Sequence, residues 1–139
     1  MNKMTQKLIK DFEIKKLGYD MMGYSKQGSD LLTFHHLIIS RNECKELGIG
    51  DGYEEWNGSI LYTTPHQYLH LIEAKDYELF LAITNEILEE KVQGYIGKEN
   101  LRYIDDCLSY FEREHSSDRT RKGKSLIKEQ YLQRNHFMI

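Results

Sequence analysis

The sequence reads LLTFHHLII over residues 31–39, WNGSILY over residues 56–62 and TPHQYLHLIE over residues 64–73. The first two stretches are rich in residues that favour strands, and the third has a proline early in a segment with helical spacing of its apolar residues. Histidine pairs lie in the first and third stretches, and an Asn-Gly dipeptide lies between them. We therefore expect two strands followed by a helix, with polar side chains that carry chemistry on all three elements.

The third stretch has the best-marked helix start in the chain. Thr64 is expected to be the N-cap, Pro65 to take the first helical position and Gln67 to complete a capping box. His66 and His70 are then one turn apart on the same helical face. Two imidazoles placed in this way can bind one metal ion, and imidazole suits zinc or another late divalent ion better than magnesium.

The histidine pair of the first strand divides between two faces. Successive strand residues point to opposite sides of a sheet, so His35 and His36 cannot both bind one metal without distortion. One ligand and one general base is the division that this geometry favours. Histidine suits the role of a general base because it titrates near neutral pH.

The order of these residues, HH, then Asn, then HxxxH, resembles the HNH or ββα-metal nuclease motif. The doubled final histidine is most similar to the bacteriocin DNase branch, and the wider string is similar to small HNH-like proteins of Gram-positive mobile elements and phages. This resemblance covers residues 33–73. It implies an α+β fold, in which a ββα-metal hairpin and helix are embedded in a mainly helical single domain. It also implies a metal-dependent endonuclease that hydrolyses phosphodiester bonds in DNA.

The resemblance also implies a role for each residue of the motif. His36 is the general base, and Asn57 holds the loop and orients that base. His35, His66 and His70 are the ligands of one divalent metal ion, which is zinc, magnesium or manganese. Three protein ligands leave a coordination position open for water or phosphate.

Charge is distributed unevenly along the chain. Residues 1–118 carry 13 basic and 21 acidic side chains, whereas residues 119–139 carry 6 and 1, so the tail is interpreted as the only basic stretch. Because nonspecific binding of nucleic acid rests on many lysine and arginine contacts, the metal and the tail are expected to supply much of the attraction for DNA. Near the motif, Arg41 and Lys45 are the candidate phosphate-binding residues.

The remaining elements are expected from periodicity and from breaks in it. An amphipathic helix is expected at about residues 3–16, followed by an irregular, glycine-rich connection over residues 18–30. Residues 40–56 are expected to form the wide loop of a long hairpin. An apolar stripe predicts a helix over residues 77–92, and a further helix is expected at about residues 98–114.

These elements predict one HNH-like domain over residues 1–115. Its motif core spans residues 31–74 and its helical remainder residues 76–114, and a basic tail follows over residues 116–139. No stretch has the continuous apolar run of a signal peptide or the length of a membrane span, so we expect a cytoplasmic protein that does not bind membranes.

Two alternatives to a nuclease remain open at this point. The first is a catalytically inactive binding protein that keeps the HNH fold and contacts a protein partner through its acidic body. The second is a structural zinc module, in which a fourth ligand such as Cys44 or an acidic residue closes the coordination sphere.

Overall fold

Five helices and one two-stranded antiparallel sheet form residues 2–93, the part of the chain that the structure, a computed structural model, describes. This part of the chain is therefore of the mixed α+β class, as expected. The helix expected at residues 98–114 and the tail over residues 116–139 lie outside the described residues. In chain order the elements are α1 (Lys3–Asp11), α2 (Ile14–Leu17), β1 (Leu32–His36), α3 (Arg41–Leu47), a 3₁₀ turn (Glu55–Asn57), β2 (Gly58–Tyr62), α4 (Thr63–Lys75) and α5 (Tyr77–Gln93).

The two strands separate the histidine pair as the alternation of strand side chains predicts. In the register of β1 and β2, His35 lies opposite Ser59 and His36 lies opposite Gly58. The face that carries His35 packs against α4, whereas the face that carries His36 packs against α1. The observed strand is shorter than the apolar run that predicted it. Strand β1 ends at His36, and the buried residues 37–39 continue as irregular chain.

The helix expected at residues 3–16 is divided into α1 and α2. Both Phe12 and Ile14 are buried. In one continuous helix these two side chains would point about 160° apart, since each residue turns the helix by about 100°. The chain buries both by turning at Glu13, which has a positive φ of 51°.

The strands on either side of residues 40–56 pair antiparallel, as expected of a long hairpin, but the connection contains the helix α3 and is not only a loop, so that part of the expectation was wrong. The start of α3 is fixed by a capping box, in which Ser40 Oγ accepts from Glu43 N at 3.2 Å and Glu43 Oε1 accepts from Ser40 N at 3.0 Å. Gly48 ends the helix in the left-handed region, with φ of 73°. Cys44 is buried on the inner side of this helix.

The start of α4 differs in detail from the prediction. The helix begins at Thr63, and Tyr62 occupies the N-cap position without a side-chain hydrogen bond. Thr64 is therefore not the N-cap: its hydroxyl donates to Asp30 Oδ1 at 2.7 Å, a bond that its charged acceptor strengthens. Pro65 remains within the first turn, where its missing N–H costs no helical hydrogen bond.

The core lies on both faces of the sheet and between α4 and α5. Its largest fully buried side chains come from α1, α2, β2, α4 and α5 and include Leu8, Ile14, Ile60, Leu61, Leu69, Ile72, Phe80 and Ile83. Asp20 fastens the 18–30 connection to the sheet, because its carboxylate accepts from Met22 N, Tyr24 N and Tyr62 N at 2.9–3.0 Å. Among the described residues, every helix is too short or too polar to cross a membrane.

Candidate metal centre

The three histidines predicted as metal ligands meet between the sheet and α4. His35 comes from β1, and His66 and His70 come from successive turns of α4. Each offers one ring nitrogen, and these three nitrogens lie within 4.8 Å of one another. His35 is 2% exposed, His66 is half-buried and His70 is exposed, so the cluster opens to solvent on the side of His70. These three residues could therefore hold a metal ion.

A hydroxyl group from the same strand face fixes the proton of His66. Thr33 Oγ1 donates to Leu61 O at 2.7 Å, and His66 Nδ1 lies 2.8 Å from the same hydroxyl oxygen. Because the Thr33 hydroxyl has one proton and the Leu61 carbonyl takes it, His66 Nδ1 carries the hydrogen that completes the second bond. The lone pair of His66 is therefore on Nε2, which is the nitrogen that faces His70.

The spacing of the two α4 histidines fits a shared cation. His66 Nε2 and His70 Nε2 are 3.0 Å apart. With metal–nitrogen bonds of about 2.0–2.1 Å, two imidazole nitrogens of a tetrahedral site lie about 3.3 Å apart, so a small movement suffices. On the far side of His70, Nδ1 lies 3.6 Å from Glu73 Oε1, a carboxylate that would favour a proton on Nδ1 and a lone pair on Nε2 once a cation replaced the hydrogen bond that His70 Nε2 donates to His66 Nε2.

The protonation state of His66 also suits a ligand. Burial, and then the charges of His70 and His36, lower the pKa of His66 to about 4. A metal-binding imidazole has to be neutral, and at neutral pH a histidine with this pKa is already so. Competition from protons at this position is therefore weak above pH 5 or so.

A fourth protein ligand is absent from the cluster within residues 2–93. No cysteine sulfur or carboxylate oxygen of this part of the chain joins the three imidazole nitrogens. Cys44, the fourth ligand considered for a structural zinc module, is buried elsewhere, with its sulfur 4.0 Å from Ile39 O. Within residues 2–93 the cluster therefore offers a metal ion three protein ligands.

His36 lies on the opposite face of β1 and is held by a backbone carbonyl. Its Nε2 is 2.9 Å from Asp51 O. Since a carbonyl only accepts, Nε2 carries the proton and Nδ1 keeps the lone pair. The ring of Tyr53 lies edge-on to His36 with centroids 4.8 Å apart, and the ring of Phe34 lies 5.0 Å from His36 and 4.7 Å from Tyr53, so the three rings form one cluster. His36 is half-buried, so its ring is fixed without being sealed from water.

The charges around His36 place one of the two predicted phosphate-binding residues near it. Burial lowers the pKa of His36, the hydrogen bond to Asp51 and the Asp51 charge oppose this, and the charge of Arg41 lowers the pKa further. Arg41, which is exposed at the start of α3, is thus close enough to act on His36 electrostatically. Lys45 lies one turn later and is also exposed, but no described contact joins it to the histidines.

Asn57 connects the loop around His36 to the end of β1. Its Oδ1 accepts from Ile38 N and Ile39 N, both at 2.9 Å. Its Nδ2 donates to Ile39 O at 2.8 Å and to Gly52 O at 3.1 Å. These four bonds use the whole donor and acceptor capacity of the amide. The bond to Gly52 O fixes the loop next to Asp51, whose carbonyl holds His36.

Two contributors to the site were missed in the sequence. Thr33 could have been found, because it lies two residues before His35 and so shares its strand face. The Asp51 carbonyl could not, since every residue has a carbonyl and only the folded loop shows which one meets His36. Gly48, Gly50 and Gly52 marked an irregular loop without indicating its contact.

Comparison with known proteins found no matching family model, curated protein or solved structure. The protein is therefore classified by its own fold and by the geometry of its histidines. Residues 2–93 form an α+β unit with a three-histidine cluster that could hold a metal ion, and a fourth histidine lies on the other face of the same strand.

Proposed function

We propose that this protein is a metal-dependent endonuclease of the HNH type that hydrolyses phosphodiester bonds in DNA. The observation that carries the proposal is the convergence of His35, His66 and His70, together with a fourth histidine, His36, which follows His35 on the opposite face of the same strand and has its Nε2 held by the Asp51 carbonyl. Metal binding alone would not need the second feature. Hydrolysis needs both, because water must lose a proton as it attacks phosphorus.

In this proposal each side chain has one task. His36 Nδ1 accepts the proton of the attacking water, the new bond forms between the water oxygen and phosphorus, and the bond from phosphorus to the leaving oxygen breaks. The Asp51 carbonyl accepts from Nε2 and stabilises the imidazolium that results. When bound, the metal ion supplies positive charge that stabilises the phosphate and the leaving oxygen.

The ligand set favours this function over a structural zinc module. A structural zinc site has four protein ligands, whereas a catalytic site has three and an open position. The three histidines, without a cysteine or carboxylate partner in residues 2–93, match the second arrangement. Thr33 and Glu73 would serve as the partners that orient His66 and His70.

The decisive experiment separates the base from the ligands. We expect the purified protein to cleave plasmid DNA with zinc, magnesium or manganese and to lose this activity in EDTA. His36→Ala should lower the cleavage rate by about 10²–10⁴-fold and leave metal content unchanged. His66→Ala, which changes a half-buried helical residue and spares the core, should lose bound metal and cleavage together.

Three outcomes would contradict parts of this proposal. Loss of metal in His36→Ala would contradict the division between base and ligands. Cleavage of single-stranded RNA but not of DNA would move the substrate to RNA. Absence of cleavage with every metal would reject the nuclease and favour the inactive binding protein, whose acidic body contacts a protein partner.

A further inference from the structure

The first two helices carry a positive charge that contrasts with the rest of the described chain. Residues 1–16 contain five lysines and two acidic residues, a net charge of +3. Residues 17–93 contain five basic and thirteen acidic side chains, a net charge of −8. The interpretation of the C-terminal tail as the only basic stretch was therefore wrong. A surface that attracts anions also exists on α1 and α2.

Three of these five lysines line an open groove. Its volume is about 430 Å³, and it is lined by Gln6, Ile9, Lys10, Glu13, Lys15 and Lys16. The turn at Glu13 ends α1 and begins α2, so that lysines from both helices reach the same groove. Had residues 3–16 formed one straight helix, Lys10 and Lys15 would point about 140° apart.

Two of the groove lysines are available to a ligand. Lys16 forms an ion pair with Glu13 at 3.1 Å. Lys10 and Lys15 have no acidic partner within ion-pair distance among residues 2–93. Lysines in the last turn of a helix also interact favourably with the helix dipole. That effect accounts for Lys10 at the end of α1 and for Lys15 at the end of α2, so the groove argument rests on both lysines lining one open space.

Helix α1 lies on the His36 side of the sheet, and the groove opens on its outer surface, because Gln6 and Lys10 lie about 160° around the helix from Leu8, which faces the sheet. Gly58 is opposite His36, and a Cβ added to Gly58 would lie 2.7 Å from Leu8 Cδ1 of α1. Lys7 of α1 also pairs with Glu55 at 3.1 Å, immediately before the 3₁₀ turn that leads into β2. Helix α1 is therefore packed directly behind the strand ends that hold the proposed general base.

We propose that the α1–α2 groove binds the phosphate backbone of the nucleic-acid substrate on one side of the cleavage position. This inference rests on the proposed nuclease function. A lysine ammonium neutralises a phosphate as a point charge without a fixed geometry, so the two available lysines can contact successive phosphodiesters of a nucleic-acid strand. The groove compensates for an acidic body that would otherwise repel DNA near His36.

The test compares two pairs of neutralised lysines in full-length protein that also carries His36→Ala, so that DNA is bound but not cut. Lys10→Gln with Lys15→Gln removes the groove charges. Lys26→Gln with Lys75→Gln is the control, since it changes the net charge equally, and Lys75, like Lys10, lies in the last turn of a helix. Binding of a 30-base-pair duplex, a length of about three helical turns, is measured by fluorescence anisotropy at several salt concentrations.

We expect the groove pair to reduce the slope of log affinity against log salt by about 2, since each phosphate contact contributes about 0.9. Between 50 and 200 mM salt, the affinity of the parent protein should therefore fall about 12-fold more than that of the groove variant. The control pair should retain the parent slope. In protein with His36 intact, the groove pair should raise KM for plasmid DNA and leave kcat close to that of the parent.

An unchanged slope in the groove variant would overturn the inference, and so would equal losses in both variants, which would indicate attraction by overall charge. The failure of the proposed function has a separate signature. If the unaltered protein with metal does not hydrolyse a small phosphodiester such as bis(p-nitrophenyl) phosphate or any DNA, the nuclease is rejected. The anisotropy titration, which needs no cleavage, still decides whether the groove binds DNA.

Discussion

Replacing Gly52 with alanine adds one methyl group at the point where the loop meets His36. The new Cβ would lie 2.7 Å from His36 Cδ2, 2.9 Å from Cys44 Sγ and 3.0 Å from Asn57 Nδ2. Crowding of this kind in a packed region costs about 1–3 kcal/mol. The φ of 83° adds about 1–2 kcal/mol for a residue with a Cβ. The free energy of unfolding should therefore fall by about 2–5 kcal/mol in Gly52→Ala.

Gly50 is the matched control because it shares the backbone conformation without the crowding. Its φ is 95°, and a Cβ added there meets nothing within 4 Å. Gly50→Ala should therefore lose only the conformational part, about 1–2 kcal/mol. Urea unfolding of the two variants, followed by tryptophan fluorescence from Trp56, measures the difference. Equal losses in the two variants would refute the close contact between Gly52 and His36.

The same pair of variants tests how His36 is positioned. The methyl group of Gly52→Ala pushes against the imidazole that donates to Asp51 O, and a displacement of a reacting group by about 1 Å can lower a rate about 100-fold. We expect Gly52→Ala to lose cleavage on this scale while it retains bound metal, and Gly50→Ala to keep both. Full cleavage by a folded Gly52→Ala protein would show that the position of the His36 ring does not limit the reaction.

Three further predictions concern the polar groups around the site. Thr33→Val keeps the shape of the side chain but removes the hydroxyl that holds His66 Nδ1–H, so zinc affinity in calorimetric titration should fall about 10–100-fold; an unchanged affinity would contradict this role. Asn57→Asp places an oxygen in place of Nδ2 against the carbonyl groups of Ile39 and Gly52, so the free energy of unfolding in urea should fall by at least about 2 kcal/mol. Equal urea midpoints for the variant and the parent protein would be inconsistent with these bonds. Burial raises the pKa of Asp20 from 3.8 to about 6, so the stability that its protonated form contributes is complete below about pH 4 and is lost as the pH rises through about 6. Relative to Asp20→Asn, the free energy of unfolding should fall by about 3 kcal/mol between about pH 4 and pH 7, and a difference that does not vary with pH would rule this out.

The parts of the site that follow a short-range periodicity could be predicted from the sequence. The four-residue spacing of His66 and His70 placed them on one face of α4, and the two-residue period of a strand separated His35 from His36. The convergence of His35 with the α4 pair needed one more fact, which is that α4 packs on the His35 face of the sheet. The presence of His35 on one face of β1 is consistent with the packing of α4 there. The sequence alone does not determine on which face of the sheet α4 packs.

The parts that were missed depend on local signals overlooked or on contacts distant in sequence. Ser40 and Glu43 form a capping box that is visible in the sequence, and Gly48 marks the end of the helix, so α3 could have been predicted. The hydrogen bond between Thr64 and Asp30 joins residues 34 positions apart and could not. The assignment of Thr64 as the N-cap failed because tertiary structure gave its hydroxyl a charged partner.

The Asn57-Gly58 dipeptide shows how the fold and the chemistry of the site constrain each other. Taken alone, the pair is typical of a turn, but Gly58 has an ordinary extended φ of −109° and belongs to β2. Its lack of a side chain is required because a Cβ would overlap the ring of Phe34 and contact Leu8. Because the register places Gly58 opposite His36, Leu8 of α1 can pack against the sheet at this position. A slip of one residue would exchange the faces of His35 and His36, and the metal ligand would then take the place of the base. The close packing at Gly58 therefore keeps the two histidines in their separate proposed roles.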